Sequence, residues 1–285
     1  SKHRELLSVG RVQTPVLALI YERQLEIERF TAATYYEVHA EFEQGGARYR
    51  GVWAGGRIEK REDAERIAAK TSGRIGRITS YEVKETKEFP HRLYDLTLLQ
   101  REANAKFGFS AKKTLDLAQS LYEKHKVITY PRTNSNYVNE QNIPEMHRAL
   151  DALRGTEYDP LAAGASKRIV HKGNPLVCNP AKVEDHHAIL PTHKKAGALS
   201  PDERKVYDLI VRRFLSHFYP AARYRQHAVL TEIEGETFKT NVKELVSPGW
   251  KTVYAGGGAE AAGPDAAPGA RGGKKPRSAE AKETG

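Results

Sequence analysis

The sequence has strand-type periodicity near both of its ends and helical periodicity in the middle. YYEVHAEFE from residue 35, the pair Gly45-Gly46 and ARYRGVW predict a β-hairpin. Strand patterns return at residues 74–88 and at residues 222–254, where RQHAVLTEIEG, ETFKTNVKEL and GWKTVY follow one another. This order constrains the chain to an α+β fold, in which a helical insertion interrupts a β-rich domain.

The helical segments near the start carry their own boundary signals. In QTPVLALIYERQLEIERF, Thr14 is the expected N-cap and Pro15 the first helical residue, with one largely apolar face. EKREDAERIAAKTSG predicts a short polar helix that ends at Gly73.

The middle region predicts two helices followed by a strand. HRLYDLTLLQREANAKFGF should end at Gly108, and Ser110 should cap AKKTLDLAQSLYEKHK. VITY, residues 127–130, reads as the strand that follows. Two helices and then a strand is the order of winged-helix DNA-binding units, which is an analogy of fold alone.

The rest of the middle region predicts loops and one strong helix. Residues 155–185 are rich in Gly, Ala, Lys and Pro and are expected to be irregular. In SPDERKVYDLIVRRFLSHFYP, Ser200 and Glu203 form a capping-box pattern and Pro220 ends the helix.

The chain is basic, with a net charge of +10 and a pI of about 9.5. Lysine and arginine that neutralise phosphates favour a nucleic-acid partner. A basic surface without a specific partner remains open, and charge alone does not separate DNA, RNA and anionic membrane.

Other composition features exclude several classes of protein. The sequence contains no run of 18 consecutive apolar residues, so no membrane-spanning helix is predicted. The first ten residues lack the apolar core of a signal peptide. Cys178 is the only cysteine, which excludes a disulfide framework within the chain and C-x-x-C zinc sites and favours a reducing, cytoplasmic setting. Residues 255–285 have few large apolar side chains and are predicted to be disordered.

VITYPRTNSNYV places a tyrosine and an arginine two residues apart at a predicted strand end. Tyrosine can be a covalent nucleophile, but its reference pKa of about 10 leaves little phenolate at neutral pH. In an extended segment, Tyr130 and Arg132 point to one side and could face one phosphate, with Pro131 stiffening the link. The alternative is a packed tyrosine beside a surface arginine.

Two further motifs carry candidate ligands of phosphate. In EDHHAILPT, His186 and His187 lack the spacing of a zinc site, so a phosphate-binding or proton-shuttling histidine is favoured over a metal ligand. The alternative is a histidine pair that caps local backbone.

The segment SVGRVQTP precedes the first predicted helix. Its Gly10 allows close backbone approach, and Ser8, Arg11 and Gln13 are natural phosphate and sugar contacts. The alternative is an ordinary loop at a helix entry.

These three segments, in this order, resemble type IA DNA topoisomerases, most closely the topoisomerase III group. SVGRVQTP is similar to the family's DNA-binding segment, which implies that Ser8, Val9, Gly10, Arg11, Val12 and Gln13 bind DNA. ITYPRT is similar to its active-site motif, which implies Tyr130 as nucleophile and Arg132 as its phosphate-positioning partner. DHHAILPT is similar to a third motif, which implies His186 near the scissile phosphate and His187 in DNA binding.

The resemblance also implies an architecture. Residues 1–33 would belong to a base domain that grips single-stranded DNA. Residues 34–90 and 221–254 would form a β-rich arch domain, and residues 91–220 an inserted, winged-helix-like domain that carries the tyrosine.

The implied activity is transient cleavage of single-stranded or underwound DNA through a 5′-phosphotyrosine, strand passage and resealing without ATP. Mg²⁺ would be held by a Toprim domain outside this chain, which a separate partner chain could supply, and no metal ligand is expected within this chain. A cytoplasmic, nucleoid-associated protein without a membrane partner is implied.

Two departures from the family pattern bear on this expectation. Asn134 stands where the family usually has aspartate, which bears on local pairing and pH behaviour. The Toprim domain and the end of the base domain are absent, so the isolated chain is expected to be inactive. A non-catalytic DNA-binding remnant, one subunit of a split topoisomerase, and a reverse gyrase-like or RNA-directed member stay open.

Overall fold

The computed structural model describes residues 10–255 and combines helices with one antiparallel sheet, as the α+β expectation required. Ser8, Val9 and the predicted disordered tail beyond Ala255 lie outside the described residues. The helices are α1 Gln13–Arg29, α2 Arg61–Thr71, α3 Leu96–Phe107, α4 Ala111–Glu123, α5 Ile143–Ala152, α6 Asp159–Gly164 and α7 Pro201–Ser216. The strands are β1 His39–Gln44, β2 Ala47–Trp53, β3 Arg77–Glu88, β4 Ala222–Ile233 and β5 Glu236–Ser247.

The sheet has the strand order β1-β2-β5-β4-β3, so distant parts of the sequence pair with one another. Strands β1 and β2 form the predicted hairpin, with Gly45 and Gly46 at φ of 57° and 81°. Such positive φ values are what a two-residue hairpin turn requires. Strand β2 then pairs with β5 through Trp53 and Phe238. The helices α3 to α7 lie between β3 and β4 in the sequence, which is the predicted interruption.

Contacts divide the described residues into two compact units. Residues 10–82 and 227–242 form the first unit, and residues 83–226 and 243–255 form the second. The first has a small core in which Ala64 and Ile67 of α2 pack with Val38, Ile58 and Phe238. The second has the larger core, built from α3, α4, α5 and α7. No helix among the described residues is long and apolar enough to cross a bilayer.

Several predicted helix caps are confirmed in the second unit. Gly108 ends α3 in the left-handed conformation, and Ser110 accepts a hydrogen bond from the Lys113 amide at the start of α4. Ser200 and Glu203 form the reciprocal capping box of α7. The second carboxylate oxygen of Glu203 also accepts a hydrogen bond from the Ser120 hydroxyl at 2.7 Å. These bonds lower the pKa of Glu203 to about 2 and tie α4 to α7.

The start of α1 differs from the prediction. Its N-cap is Val12, without a side-chain cap, and the Thr14 hydroxyl accepts a hydrogen bond from the Gly10 amide instead. Thr14 is therefore not the cap. None of the residues of α1 is buried, although its large apolar side chains would suit a covered face.

Two predicted strands are wrong. VITY forms a single antiparallel bridge between Ile128 and Pro191, flanked by two backbone hydrogen bonds, from the Thr129 amide to the Leu190 carbonyl and from the Thr192 amide to the Val127 carbonyl. GWKTVY forms a 3₁₀ turn over Gly249–Val253. Gly249 turns the chain with a φ of 50°, and buried Trp250 donates a hydrogen bond to the Glu88 carbonyl.

The loop prediction for residues 155–185 holds only in part. This stretch contains the short helix α6 and a 3₁₀ turn at Pro180–Lys182. Helix α3 also starts later than its segment suggested, at Leu96, where Asp95 accepts a hydrogen bond from the Leu98 amide.

Candidate active site

The ring of Tyr130 lies between two other aromatic side chains in the second unit. Its centroid is 4.4 Å from the imidazole of His186, and the two planes are tilted by 44°. On another side, the ring of Tyr122 meets Tyr130 at 5.5 Å with an interplanar angle of 76°. Tyr130 is half-buried and His186 is exposed. The structure thus brings two of the sequence-predicted residues together and adds Tyr122, which the sequence analysis missed.

Two threonines hold the segment of Tyr130 against the segment of His186. The Thr129 amide donates to the Leu190 carbonyl at 2.9 Å, and the Thr129 hydroxyl donates to the Ala188 carbonyl at 3.2 Å. The same hydroxyl oxygen accepts from the Leu190 amide at 2.9 Å. The Thr133 hydroxyl donates to the His186 carbonyl at 3.1 Å. Tyr130 is therefore fixed on both flanks by side chains that replace a strand ladder.

Arg132 is exposed and makes no hydrogen bond or ion pair with any residue of the described chain. Several cations of the same unit lie against tyrosine rings, among them Lys126, Arg92 and Lys182. Lys126 is 5.8 Å from the Tyr122 centroid, and Arg92 and Lys182 are 5.6 and 5.1 Å from the centroid of Tyr137.

Arg92 also lines a cleft of about 310 Å³ together with Asn136. Positive groups without a carboxylate partner are suited to contact a phosphate backbone.

The two adjacent histidines have different surroundings. His187 is half-buried, and its Nδ1 lies 2.7 Å from the Ala188 carbonyl, so Nδ1 carries the proton and donates it. Burial lowers the pKa of His187, and the nearby His186 lowers it further. A neutral His187 keeps Nε2 as an acceptor. No group of three or more His, Cys, Asp or Glu residues in residues 10–255 could hold a metal ion.

Asn134 contacts the segment of the histidine pair. Its side-chain amide donates a hydrogen bond to the Glu184 carboxylate at 3.3 Å, and both side chains are exposed. An aspartate at position 134 would put two carboxylates in that contact and repel Glu184. The asparagine therefore permits a link that an aspartate would oppose.

The residues of SVGRVQTP belong to the other unit. Gly10 is half-exposed, and Arg11, Val12 and Gln13 are exposed at the start of α1. Their role in DNA binding stays a prediction, as does that of Ser8 and Val9, which lie outside the described residues.

A buried charge network lies behind the histidine segment. The Ile189 amide donates to the Tyr94 carbonyl at 2.8 Å, and the Tyr94 hydroxyl donates to the carboxylate of Glu102. Arg213 donates to Glu102 at 2.5 Å, and Lys106 pairs with the other carboxylate oxygen at 2.8 Å. Burial raises the pKa of Glu102, but the opposite charges of Arg213 and Lys106 outweigh it and leave that pKa lowered.

Known proteins are similar to this chain in sequence and in structure. A family model described as DNA topoisomerase matches residues 1–284. The DNA topoisomerase 3 of Bacillus cereus (strain ATCC 14579) is 39% identical over 251 residues, which are 87% of this chain and 34% of the relative. The DNA topoisomerase 3 of Bacillus subtilis (strain 168) is 39% identical over 259 residues, which are 89% of this chain and 35% of the relative.

A solved structure is also similar. The full-length topoisomerase I from Thermotoga maritima aligns with a TM-score of 0.66 and 26% identity, covering 88% of this chain and 41% of that chain. The chain thus spans about a third of the length of the curated relatives that it matches.

Proposed function

This chain belongs to the type IA DNA topoisomerase family and is similar to DNA topoisomerase 3, and we propose that it carries the nucleophile that cleaves single-stranded DNA. The observation that carries the proposal is the contact of Tyr130 with His186, beside an Arg132 that has no partner in the described chain. An intact tyrosine site favours a catalytic chain over a non-catalytic remnant.

The proposed reaction is a pair of transesterifications. The Tyr130 oxygen attacks a backbone phosphorus, the bond from phosphorus to the 3′ oxygen breaks, and a 5′-phosphotyrosine and a free 3′-hydroxyl result. The phenol proton passes to solvent or a base, and the leaving oxygen takes up a proton. After strand passage, the 3′ oxygen attacks the phosphotyrosine and releases Tyr130. The ester link retains the energy of the broken bond, so the reaction needs no ATP.

The other residues have roles around that phosphate. Arg132 would stabilise the charge that develops on the phosphate oxygens, because a guanidinium offers paired N–H donors. His186 would donate a hydrogen bond to the same phosphate from its place against Tyr130. His187 and residues 8–13 would contact the DNA backbone.

The finer family features remain proposals for the whole enzyme. They are the β-rich arch at 34–90 and 221–254, the winged-helix-like tyrosine domain at 91–220, and a base domain that includes residues 1–33. Mg²⁺ and a Toprim-containing partner or segment are proposed on the resemblance. Residues 10–255 contain no cluster of three or more His, Cys, Asp or Glu side chains that could hold the ion. A nucleoid location would follow from DNA binding.

The test requires a complete enzyme that contains this chain. We define the graft as the Bacillus subtilis DNA topoisomerase 3 in which the matched segment is replaced by this chain. The graft is incubated with a single-stranded oligonucleotide and Mg²⁺, denatured, and digested with a protease. We expect one peptide to carry a nucleotide joined through its 5′-phosphate to Tyr130. Mass spectrometry that finds the nucleotide on a different tyrosine would overturn the assignment.

Arg132 is expected to contribute mainly to the cleavage transition state. In the graft, Arg132→Ala should slow single-turnover cleavage about 10²-fold, equal to about 3 kcal/mol of barrier, because a charge-stabilising donor is lost. Arg132→Lys should recover part of the rate, since lysine keeps the charge but lacks the planar fork. Affinity for uncleaved DNA, measured by fluorescence anisotropy, should change less than threefold. Equal losses in affinity and in rate would contradict this role.

The 285-residue chain by itself is expected to bind single-stranded DNA without relaxing supercoiled plasmid. Binding should weaken steeply as salt rises, because phosphate contacts release counterions. Anisotropy titrations at two salt concentrations and a plasmid-relaxation assay with Mg²⁺ check both statements. If the 285-residue chain relaxes the plasmid and its Tyr130→Phe variant does not, the expectation that the isolated chain cannot relax DNA is wrong.

A further inference from the structure

We propose that Tyr122, together with the ammonium group of Lys126, is a positioning residue that sets the direction in which the Tyr130 hydroxyl points. This inference rests on the function proposed above for Tyr130. It concerns a residue in the last turn of α4, eight positions before Tyr130.

The ring of Tyr130 has two aromatic neighbours, and they restrain it in different directions. Tyr122 meets it in a T-shaped arrangement at 76°, which is a favourable geometry for two aromatic rings. His186 meets it with a tilt of 44°. Because Tyr122 is half-buried and packs against the core of the second unit, it is the more firmly seated of the two. His186 is exposed and belongs to a loop.

The backbone between the two tyrosines is built to bring them together. After α4 ends, Lys126 adopts a φ of 59°, which is uncommon for a residue with a side chain. The Val127 amide then donates to the Leu121 carbonyl at 3.0 Å, which reverses the chain beside the end of α4. The Lys126 carbonyl accepts from the Thr192 hydroxyl at 2.8 Å. These two hydrogen bonds hold the turn, and the reversed chain places the ring of Tyr130 against that of Tyr122.

Lys126 adds a cation to the same group. Its ammonium nitrogen is 5.8 Å from the centroid of the Tyr122 ring, within the range of a cation–π contact. Lys126 makes no ion pair within residues 10–255, so its charge is not neutralised by a neighbouring carboxylate. A positive group at this place holds the Tyr122 ring and leaves its remaining donors for a phosphate.

The aromatic ring of Tyr122 carries this role, and its hydroxyl does not. The hydroxyl makes no hydrogen bond to any described residue. Attack on phosphorus requires the phenol oxygen to be in line with the leaving oxygen, and a displacement of about 1 Å can cost about 10²-fold in rate. Removing the Tyr122 ring would leave Tyr130 with one exposed aromatic neighbour and a wider range of ring orientations.

Kinetics of the graft provide the first test. Tyr122→Leu is expected to reduce the single-turnover cleavage rate at least tenfold while the Kd for single-stranded DNA stays within twofold. Tyr122→Phe should cleave within threefold of the unmodified graft. Phe107→Leu is the matched control, because Phe107 is also a half-buried aromatic in the last turn of a neighbouring helix and pairs with Phe109. Full activity in Tyr122→Leu, or an equal loss in Phe107→Leu, would overturn the proposal.

A spectrum of the 285-residue chain provides a test that does not depend on activity. With tyrosine rings labelled by ¹³C, the Tyr130 signal is identified by its loss in Tyr130→Phe. Tyr122→Leu should shift that signal towards the value of a free tyrosine, and Phe107→Leu should leave it in place. An unmoved Tyr130 signal in Tyr122→Leu overturns the contact. An unmodified graft that forms no adduct overturns the proposed function instead, even if the signal shifts as expected.

Discussion

Tyr130→Phe is expected to abolish the covalent DNA adduct while leaving DNA binding intact. The substitution removes only the oxygen that would form the ester, and the ring keeps its contacts with Tyr122 and His186. In the graft, adduct formation measured on a denaturing gel should fall by more than 10⁴-fold, which corresponds to more than about 5.4 kcal/mol of barrier. Single-stranded DNA affinity, measured by anisotropy, should stay within twofold.

A second tyrosine provides the control for this result. Tyr137 lies seven residues further along the same segment and is buried under Arg92 and Lys182. Tyr137→Phe should form adduct at close to the unmodified rate, because its hydroxyl is not assigned to the chemistry. Adduct formation by Tyr130→Phe at the level of Tyr137→Phe would show that another group is the nucleophile.

Arg213→Met is expected to destabilise the second unit by about 3–5 kcal/mol. The buried guanidinium pairs with Glu102 and also donates to the Arg92 carbonyl at 2.8 Å. Its removal leaves the Glu102 carboxylate buried with Lys106 as its remaining cation, and uncompensated buried charge carries a large penalty. Urea unfolding of the 285-residue chain, followed by circular dichroism at pH 7, measures the loss.

The neighbouring arginine on α7 offers a matched control. Arg212 is half-exposed, pairs with Asp208 at 2.9 Å and donates to the Val253 carbonyl at 2.6 Å, so Arg212→Met should cost about 2 kcal/mol or less. The double variant Arg213→Met with Glu102→Met should recover part of the loss, because it removes both buried charges together. The expectation fails if Arg213→Met costs no more than Arg212→Met.

The ends of several helices and the hairpin turn could be predicted from the sequence, because residues within a few positions determine them. Gly108, Ser110 and the pair Ser200 and Glu203 act on backbone groups within four positions of themselves, so their effect can be read locally. The hairpin at Gly45-Gly46 is equally local, because its turn needs two residues with positive φ.

Contacts between distant residues were beyond such reasoning. The resemblance pointed to Tyr130 and His186 separately, but only the fold shows their rings in contact across 55 intervening residues. VITY has a strand pattern but forms only one bridge, to Pro191, because a local pattern does not report how far a distant partner segment stays alongside. Periodicity likewise predicted α1 without indicating whether anything covers its apolar side chains, which are exposed except for half-buried Leu25.

The paired threonines on either side of Tyr130 have a mechanical consequence. While the strand is open, the phosphotyrosine would be the only covalent tie between one DNA end and the protein, so tension in that strand would pull on this short segment. Thr129 and Thr133 connect it at two points to the segment 186–190. A pull on the phenol oxygen would then be shared between an anchor point before the tyrosine and another after it, and neither threonine would carry the load alone.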